Sequence, residues 1–131
     1  MHYLFTDGGS RGNPGKSAIA YFIFEDEKLL DFGGKFVGVG TNNSAEYQAL
    51  ILGLKAASKL GIKKLTCNLD SELAVKQLNG EYKISNEDIK KLALSVQKER
   101  EKFESVTFNH VLREKNKFAD KMVNVILDSV G

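Results

Sequence analysis

The chain has 131 residues, 42% hydrophobic and 27% charged, with a formal net charge of +2 at pH 7, which fits one water-facing domain with its own core. Cys67 is alone, so a disulfide framework and a cysteine zinc site are excluded. No apolar run approaches a membrane span and the first residues lack a signal peptide's pattern, so the expected location is cytoplasmic, without membrane contact.

His2 to Thr6 reads as the first strand, closed by Asp7 and followed by a loop, Gly8 to Gly15, that contains four glycines and the chain's only proline, Pro14. Gly15-Lys16-Ser17 resembles the second half of a nucleotide-binding P-loop. Ser10 stands where that motif needs glycine, however, and Ala18 to Phe24 is β-branched and aromatic where it needs a helix. The P-loop is therefore rejected. Ser17 to Phe24 is the second strand and Leu29 to Val37 the third, antiparallel to it, with Gly33-Gly34 marking a bulge or a close backbone approach.

From Asn43 the period changes. Tyr47, Leu50, Ile51 and Leu54 form a helical stripe that Gly61 ends. Lys63 to Leu69 is the fourth strand, with Leu65, Cys67 and Leu69 on one face. A short helix spans Ser71 to Leu78. Ser85 to Asp88 fits a capping box opening a longer helix whose stripe is Ile89, Leu92, Ala93, Val96 and Phe103. Ser105 to Leu112 is the fifth strand, and a last helix from about Lys117 turns Ala119, Met122, Val123 and Ile126 inward. Lys98, Arg100, Lys102, Arg113, Lys115, Lys117 and Lys121 make the last third locally basic, which suits a solvated face or a phosphate-tracking surface.

This order describes an α/β fold with a five-stranded mixed sheet and helices on both faces. Helical crossovers make strands one, four and five parallel and adjacent, and strands two and three extend the sheet antiparallel, giving the order 3-2-1-4-5. Ligands of open α/β sheets sit beyond the carboxyl ends of parallel strands. Asp7 and Asp70 close two such strands. Glu46 and Asp120 lie near helix N-termini, beside apolar residues that face the core. Asp before glycine is common in turns, and an acid near a helix N-terminus complements the dipole; four acids aimed at one edge are harder to obtain by accident. Such a cluster repels itself unless a cation fills it, and all-oxygen ligands suit Mg²⁺ or Mn²⁺. Two such ions could clamp the attacking and leaving oxygens of a phosphodiester displacement.

Thr6 to Gly15, Thr41-Asn42-Asn43-Ser44-Ala45-Glu46, Asp70-Ser71 and Asn116 to Asp120 together resemble ribonuclease H of the type 1 class, in order and spacing across nearly the whole chain. The resemblance implies endonucleolytic cleavage of the RNA strand of an RNA/DNA hybrid, leaving 5′-phosphate and 3′-hydroxyl ends, with two metal ions per active site. It assigns metal ligation to Asp7, Glu46, Asp70 and Asp120. It assigns substrate contact to the residues around Gly9, Ser10, Arg11, Gly12, Asn13, Thr41, Asn42 and Asn43, chiefly at RNA 2′-hydroxyls, which distinguish RNA from DNA. Capping of the helix by one of the two asparagines is compatible with that role.

Three departures stand out. Glu72 replaces a glutamine common in the family, which puts its base-edge contact in doubt. The basic handle some members carry is missing, because Gly80 to Asp88 is short and mixed in charge, so affinity should lean on the basic last third. The loop before the last helix is short, and Arg113 is the candidate for the auxiliary part that a loop histidine plays elsewhere; His110, just inside strand five, reads as structural. The expected partner is an RNA/DNA hybrid and the expected state a monomer. Double-stranded RNA stands as an alternative substrate. A catalytically silent binding module is disfavoured by the presence of all four acids.

Overall fold

The computed structural model describes residues 1–131. Five strands form one sheet: β1 (His2–Gly12), β2 (Gly15–Glu25), β3 (Lys28–Gly40), β4 (Lys64–Leu69) and β5 (Ser105–His110). Their order is β3-β2-β1-β4-β5, with β1, β4 and β5 parallel and β2 and β3 antiparallel, as the crossover argument requires. The helices are α1 (Asn42–Lys59), α2 (Glu72–Leu78), α3 (Glu87–Arg100) and α4 (Lys117–Ser129), with a 3-10 turn at Arg113–Lys115. No helix is long and apolar enough to cross a membrane.

The sheet separates two apolar layers. On one face Leu4 and Ile23 pack with Tyr47, Leu50 and Leu54 of α1, Cys67 of β4 and Val96 of α3. On the other, Ala18, Ala20 and Phe22 of β2 pack under Ala119, Val123 and Leu127 of α4. The line α4 turns inward is thus Ala119, Val123 and Leu127. Met122 and Ile126 are half-buried and flank it.

Several expected boundaries move, each for a local reason. Asp7 is not the end of its strand: the β1–β2 hairpin continues as a paired ladder to Gly12 and Gly15, so most of the expected loop is strand and only Asn13 and Pro14 turn. What stops near Asp7 is the parallel pairing, whose last partners are Thr6 and Leu69. Beyond it β1 has a strand on one side only, and the other side is open to the site. β3 likewise runs on to Gly40. Its bulges fall at Leu30 and Val37, where the pairing with β2 shifts register, and not at Gly33-Gly34, which pair regularly with Tyr21 and Ala20. The second option for those glycines holds: a Cβ on Gly34 would come 2.9 Å from Ile126 Cδ1 and from the Ile19 carbonyl oxygen.

The box at Ser85 is replaced by an Asn86 cap, whose Oδ1 accepts from the Ile89 N–H at 3.0 Å. Phe103 is buried but lies beyond α3, which ends at Arg100. β5 stops at His110 because the chain then bends into the 3-10 turn; His110 itself is exposed.

Candidate active site

Helix α1 delivers Glu46 to β1 by lying close on it. Two glycines permit the approach. A Cβ on Gly53 would meet Leu4 Cδ1 at 2.7 Å, and one on Gly8 would fall into the Ala45 carbonyl and within 2.6 Å of the Glu46 nitrogen. The Gly8 N–H then donates to Glu46 Oε1 at 2.6 Å. Glu46 is only 6% exposed and Asp7 8%, so both sit inside the fold rather than at a rim. Asp70 follows β4 directly, and Ser71 caps α2 by accepting from the Ala74 N–H.

Carboxylate oxygens of Asp7, Glu46 and Asp70 all lie within 4.8 Å of one another. None of the three is in an ion pair. Burial, then the charges of Asp70 and Asp120, push the Asp7 carboxyl from 3.8 up to about 7, against the lowering effect of a hydrogen bond with Glu46 and of Arg113. Burial also pushes Glu46 well above its ordinary value, with Asp7 and Asp70 adding to it and the Gly8 N–H opposing. Two buried acids and the half-buried Asp70, with no histidine, cysteine or lysine among them, form a set that a hard divalent cation would neutralise.

The trio opens into a cavity of about 630 Å³ that Asp120 and Arg113 also line. Asp120 does not join the close trio. It is half-buried across the cavity, on the first turn of α4. Arg113 is exposed on the 3-10 turn.

The hairpin tip and the start of α1 are laced together beside the acids. Asn42 Oδ1 accepts from the Ser10 N–H at 2.8 Å and from its hydroxyl at 3.0 Å, and the Asn42 N–H donates to Asn13 Oδ1 at 3.1 Å. Neither asparagine caps α1; Thr41 does, accepting from the Ser44 N–H. Ser10, Asn13, Asn42 and Asn43 line the cavity with Gly9 and Arg11. Arg11 is held toward α4 by an ion pair with Asp128 at 2.6 Å. Gly12, Thr41 and Glu72 do not line it. Gly12 sits at the hairpin tip with φ 94°, and Glu72 turns to Lys76 at 3.6 Å. The exposed His110 does not reach the cavity either.

Three positioning residues escape a reading by residue type. Gly8 is one. Asn116, 2% exposed, is another: its Nδ2 donates to the Thr6 carbonyl at 2.8 Å and to Asp70 Oδ2 at 3.3 Å, tying the start of α4 to the ends of the β1–β4 pairing. The third is Gln77, whose Oε1 accepts from Asn43 Nδ2 at 3.2 Å and from the buried Tyr47 hydroxyl at 3.0 Å, coupling α2 to α1. A polar residue next to a helix start is an ordinary cap in the sequence, and only the packed structure shows what it reaches.

A 3-2-1-4-5 sheet with acids gathered where its parallel β1–β4 pairing ends defines the ribonuclease H-like class of folds. The reverse transcriptase-like family model matches residues 5–126. Ribonuclease H1 from the halophilic archaeon Halobacterium salinarum superposes with a TM-score of 0.94 at 33% identity, covering 98% of each chain. LC11 ribonuclease H1, from compost and solved in complex with an RNA/DNA hybrid, gives 0.94 at 32%, covering 99% of each. The N-terminal ribonuclease H domain of a Mycobacterium tuberculosis protein, solved fused to maltose-binding protein, gives 0.94 at 34%, over 98% of this chain and 94% of that one. The chain belongs to the ribonuclease H family, type 1. Among curated relatives, ribonuclease HI of Halobacterium salinarum is 35% identical over 127 residues, and a bifunctional protein of Mycobacterium tuberculosis is 35% identical over 128. The chain spans 64% of the first and 35% of the second.

Proposed function

We propose that this chain is an endoribonuclease that hydrolyses the RNA strand of RNA/DNA hybrids with the help of two divalent cations, Mg²⁺ or Mn²⁺. The observation that carries the reading is the close trio of Asp7, Glu46 and Asp70, two of them buried, opening into a cavity walled by hydrogen-bonding groups. The family relative solved with an RNA/DNA hybrid supports the same choice of substrate.

Asp7, Glu46, Asp70 and Asp120 would hold the cations. Bound there, they would cancel the acids' repulsion, activate water for attack on phosphorus and offset charge on the departing oxygen. The reaction adds the elements of water across one phosphodiester. The P–O3′ bond breaks, the phosphate stays on the 5′ side of the downstream nucleotide, and a proton passes to the 3′ oxygen. The protein's own part is to hold its acids before substrate arrives: the Gly8 N–H fixes Glu46, and Asn116 fixes Asp70. Ser10, Asn13 and Asn42 present amides and a hydroxyl at the cavity wall, the groups suited to a 2′-hydroxyl, which both donates and accepts. They bond to one another in the free protein, so the wall is stiff and shaped in advance.

The test is cleavage of end-labelled duplexes of one sequence, as RNA/DNA, RNA/RNA and DNA/DNA, with Mg²⁺ or Mn²⁺. Only the RNA strand of the hybrid should be cut, leaving 5′-phosphate ends. Equal cutting of RNA/RNA would widen the substrate class to double-stranded RNA. No cutting of any duplex would reject the enzyme reading.

A further inference from the structure

Helix α4 covers only part of its face of the sheet. Beside its N-terminus, Phe5, Phe24 and Phe118 wall a hollow of about 300 Å³ on the other side of Asn116 from the acids. The rings are continuous: Phe118 lies 5.7 Å from Phe22 and 6.3 Å from Phe24, Phe24 meets Phe5 edge-on at 5.8 Å, and Phe22 stacks on Phe32 at 5.4 Å. Phe118 is 65% exposed and Phe32 53%. Phe118 thus leaves most of a large apolar ring open to solvent at the mouth of the hollow.

The rim says what kind. Lys115 and Lys117 line the hollow and neither is in an ion pair. Of the two acids on the opposite wall, Asp26 is matched by the amino terminus at 3.1 Å, which leaves Glu27 against two unmatched lysines. Arg113 and Lys115 belong to the same 3-10 turn, Arg113 lining the active-site cavity and Lys115 the hollow, so one short turn separates the two. Flat apolar rings under spare positive charge, next to a cavity that takes a duplex, match a nucleic-acid strand whose bases are free to stack.

We propose that this hollow binds unpaired nucleotides flanking the duplex, stacking a base on Phe118 and its neighbours while Lys115 and Lys117 meet the phosphates. The proposal rests on the hybrid-nuclease reading for the position of the duplex, and on its own residues for the stacking. It makes junctions between hybrid and single strand better ligands than blunt hybrids.

Fluorescence anisotropy in EDTA tests it, with a blunt hybrid, the same hybrid carrying a four-nucleotide overhang at each of its four ends in turn, and a free single-stranded DNA. One overhang should tighten binding by about tenfold, the worth of one stacked base. F118A, at an exposed position, should erase that gain, with blunt-hybrid affinity and cleavage unchanged. A K115E/K117E variant should lose the gain and its salt dependence. Equal affinity for blunt and overhanging hybrids in the native protein would overturn the proposal. So would an F118A effect confined to concentration-dependent self-association, which would make the patch an interface between copies. Failure of the blunt hybrid to bind in EDTA and of the native protein to cut it with Mg²⁺ would strike the functional reading instead; single-strand binding abolished by F118A would then still support the stacking site.

Discussion

The Gly8 N–H and the Glu46 carboxylate meet at 2.6 Å across 38 residues of sequence, and the contact exists only because Gly8 has no side chain. A strand and a helix are brought together there so closely that the backbone of one holds the acid of the other.

Gly8→Ala should therefore damage the fold and the site together. Its Cβ would overlap the Ala45 carbonyl, backbone that cannot rotate away. Urea denaturation should show a loss of about 3 kcal/mol, the upper range for overpacking. The neighbouring change Gly9→Ala meets Val123 Cγ1 at 3.6 Å, an ordinary contact, and should cost less than about 1 kcal/mol.

Without metal, stability should fall as pH rises through the titration of Asp7 and Glu46. Asp7 is held at about 7 against an ordinary 3.8, so between these values the folded protein keeps a proton that the unfolded chain has released. The folded state gains most from this site below about pH 4 and has lost that gain above about pH 7; Glu46, raised for the same reasons, acts in the same direction. In EDTA the melting temperature of the native protein relative to Asp7→Asn should drop by several degrees from pH 5 to 8. Divalent metal should reverse the trend and release protons on binding, measurable by calorimetry in buffers of different ionisation enthalpy. A flat difference curve would mean that the acids are not packed against one another.

Asn116→Ala removes the tie between the Thr6 carbonyl and Asp70. Thermal or chemical denaturation should show a loss of about 1–3 kcal/mol for the stranded buried groups. Weaker metal binding should accompany it, because Asp70 loses the group that orients it. A variant with native metal affinity would confine Asn116 to a structural part.

Arg113 offers a separate check. Its charge opposes the rise in the Asp7 pKa, so Arg113→Ala should move the Asp7 titration upward, as followed by carboxyl carbon NMR. An unmoved titration would place the guanidinium too far away to matter.

The sheet order and the meeting of Asp7, Glu46 and Asp70 were legible in the sequence because they follow from strong local signals, whereas Asp120, expected with them, lines the same cavity but stays outside the close trio. Hairpin-linked strands must run antiparallel, helix-linked strands parallel, and an acid beside the buried stripe of a helix stands out. The end of β1 was not legible: Asp7-Gly8-Gly9 has the composition of a loop, and only pairing with Ala18, Ile19 and Ala20 keeps it extended. Which asparagine caps and which bridges was hidden as well. Thr41, Asn42 and Asn43 are all good caps, and the choice among them is made by Ser10, Asn13 and Gln77, which reach them from elsewhere in the chain. The depth of Glu46 depends in the same way on Gly8, since burial of an acid is decided by the partner that approaches it.

The most direct measurement is cleavage of a labelled RNA/DNA hybrid by the native protein and by Asp7→Asn, each with Mg²⁺ and with EDTA, after circular dichroism has shown both to be folded. Cutting of the RNA strand only by the native protein, and only with metal, is the predicted result. Comparable cutting by Asp7→Asn, or by the native protein in EDTA, would contradict the account.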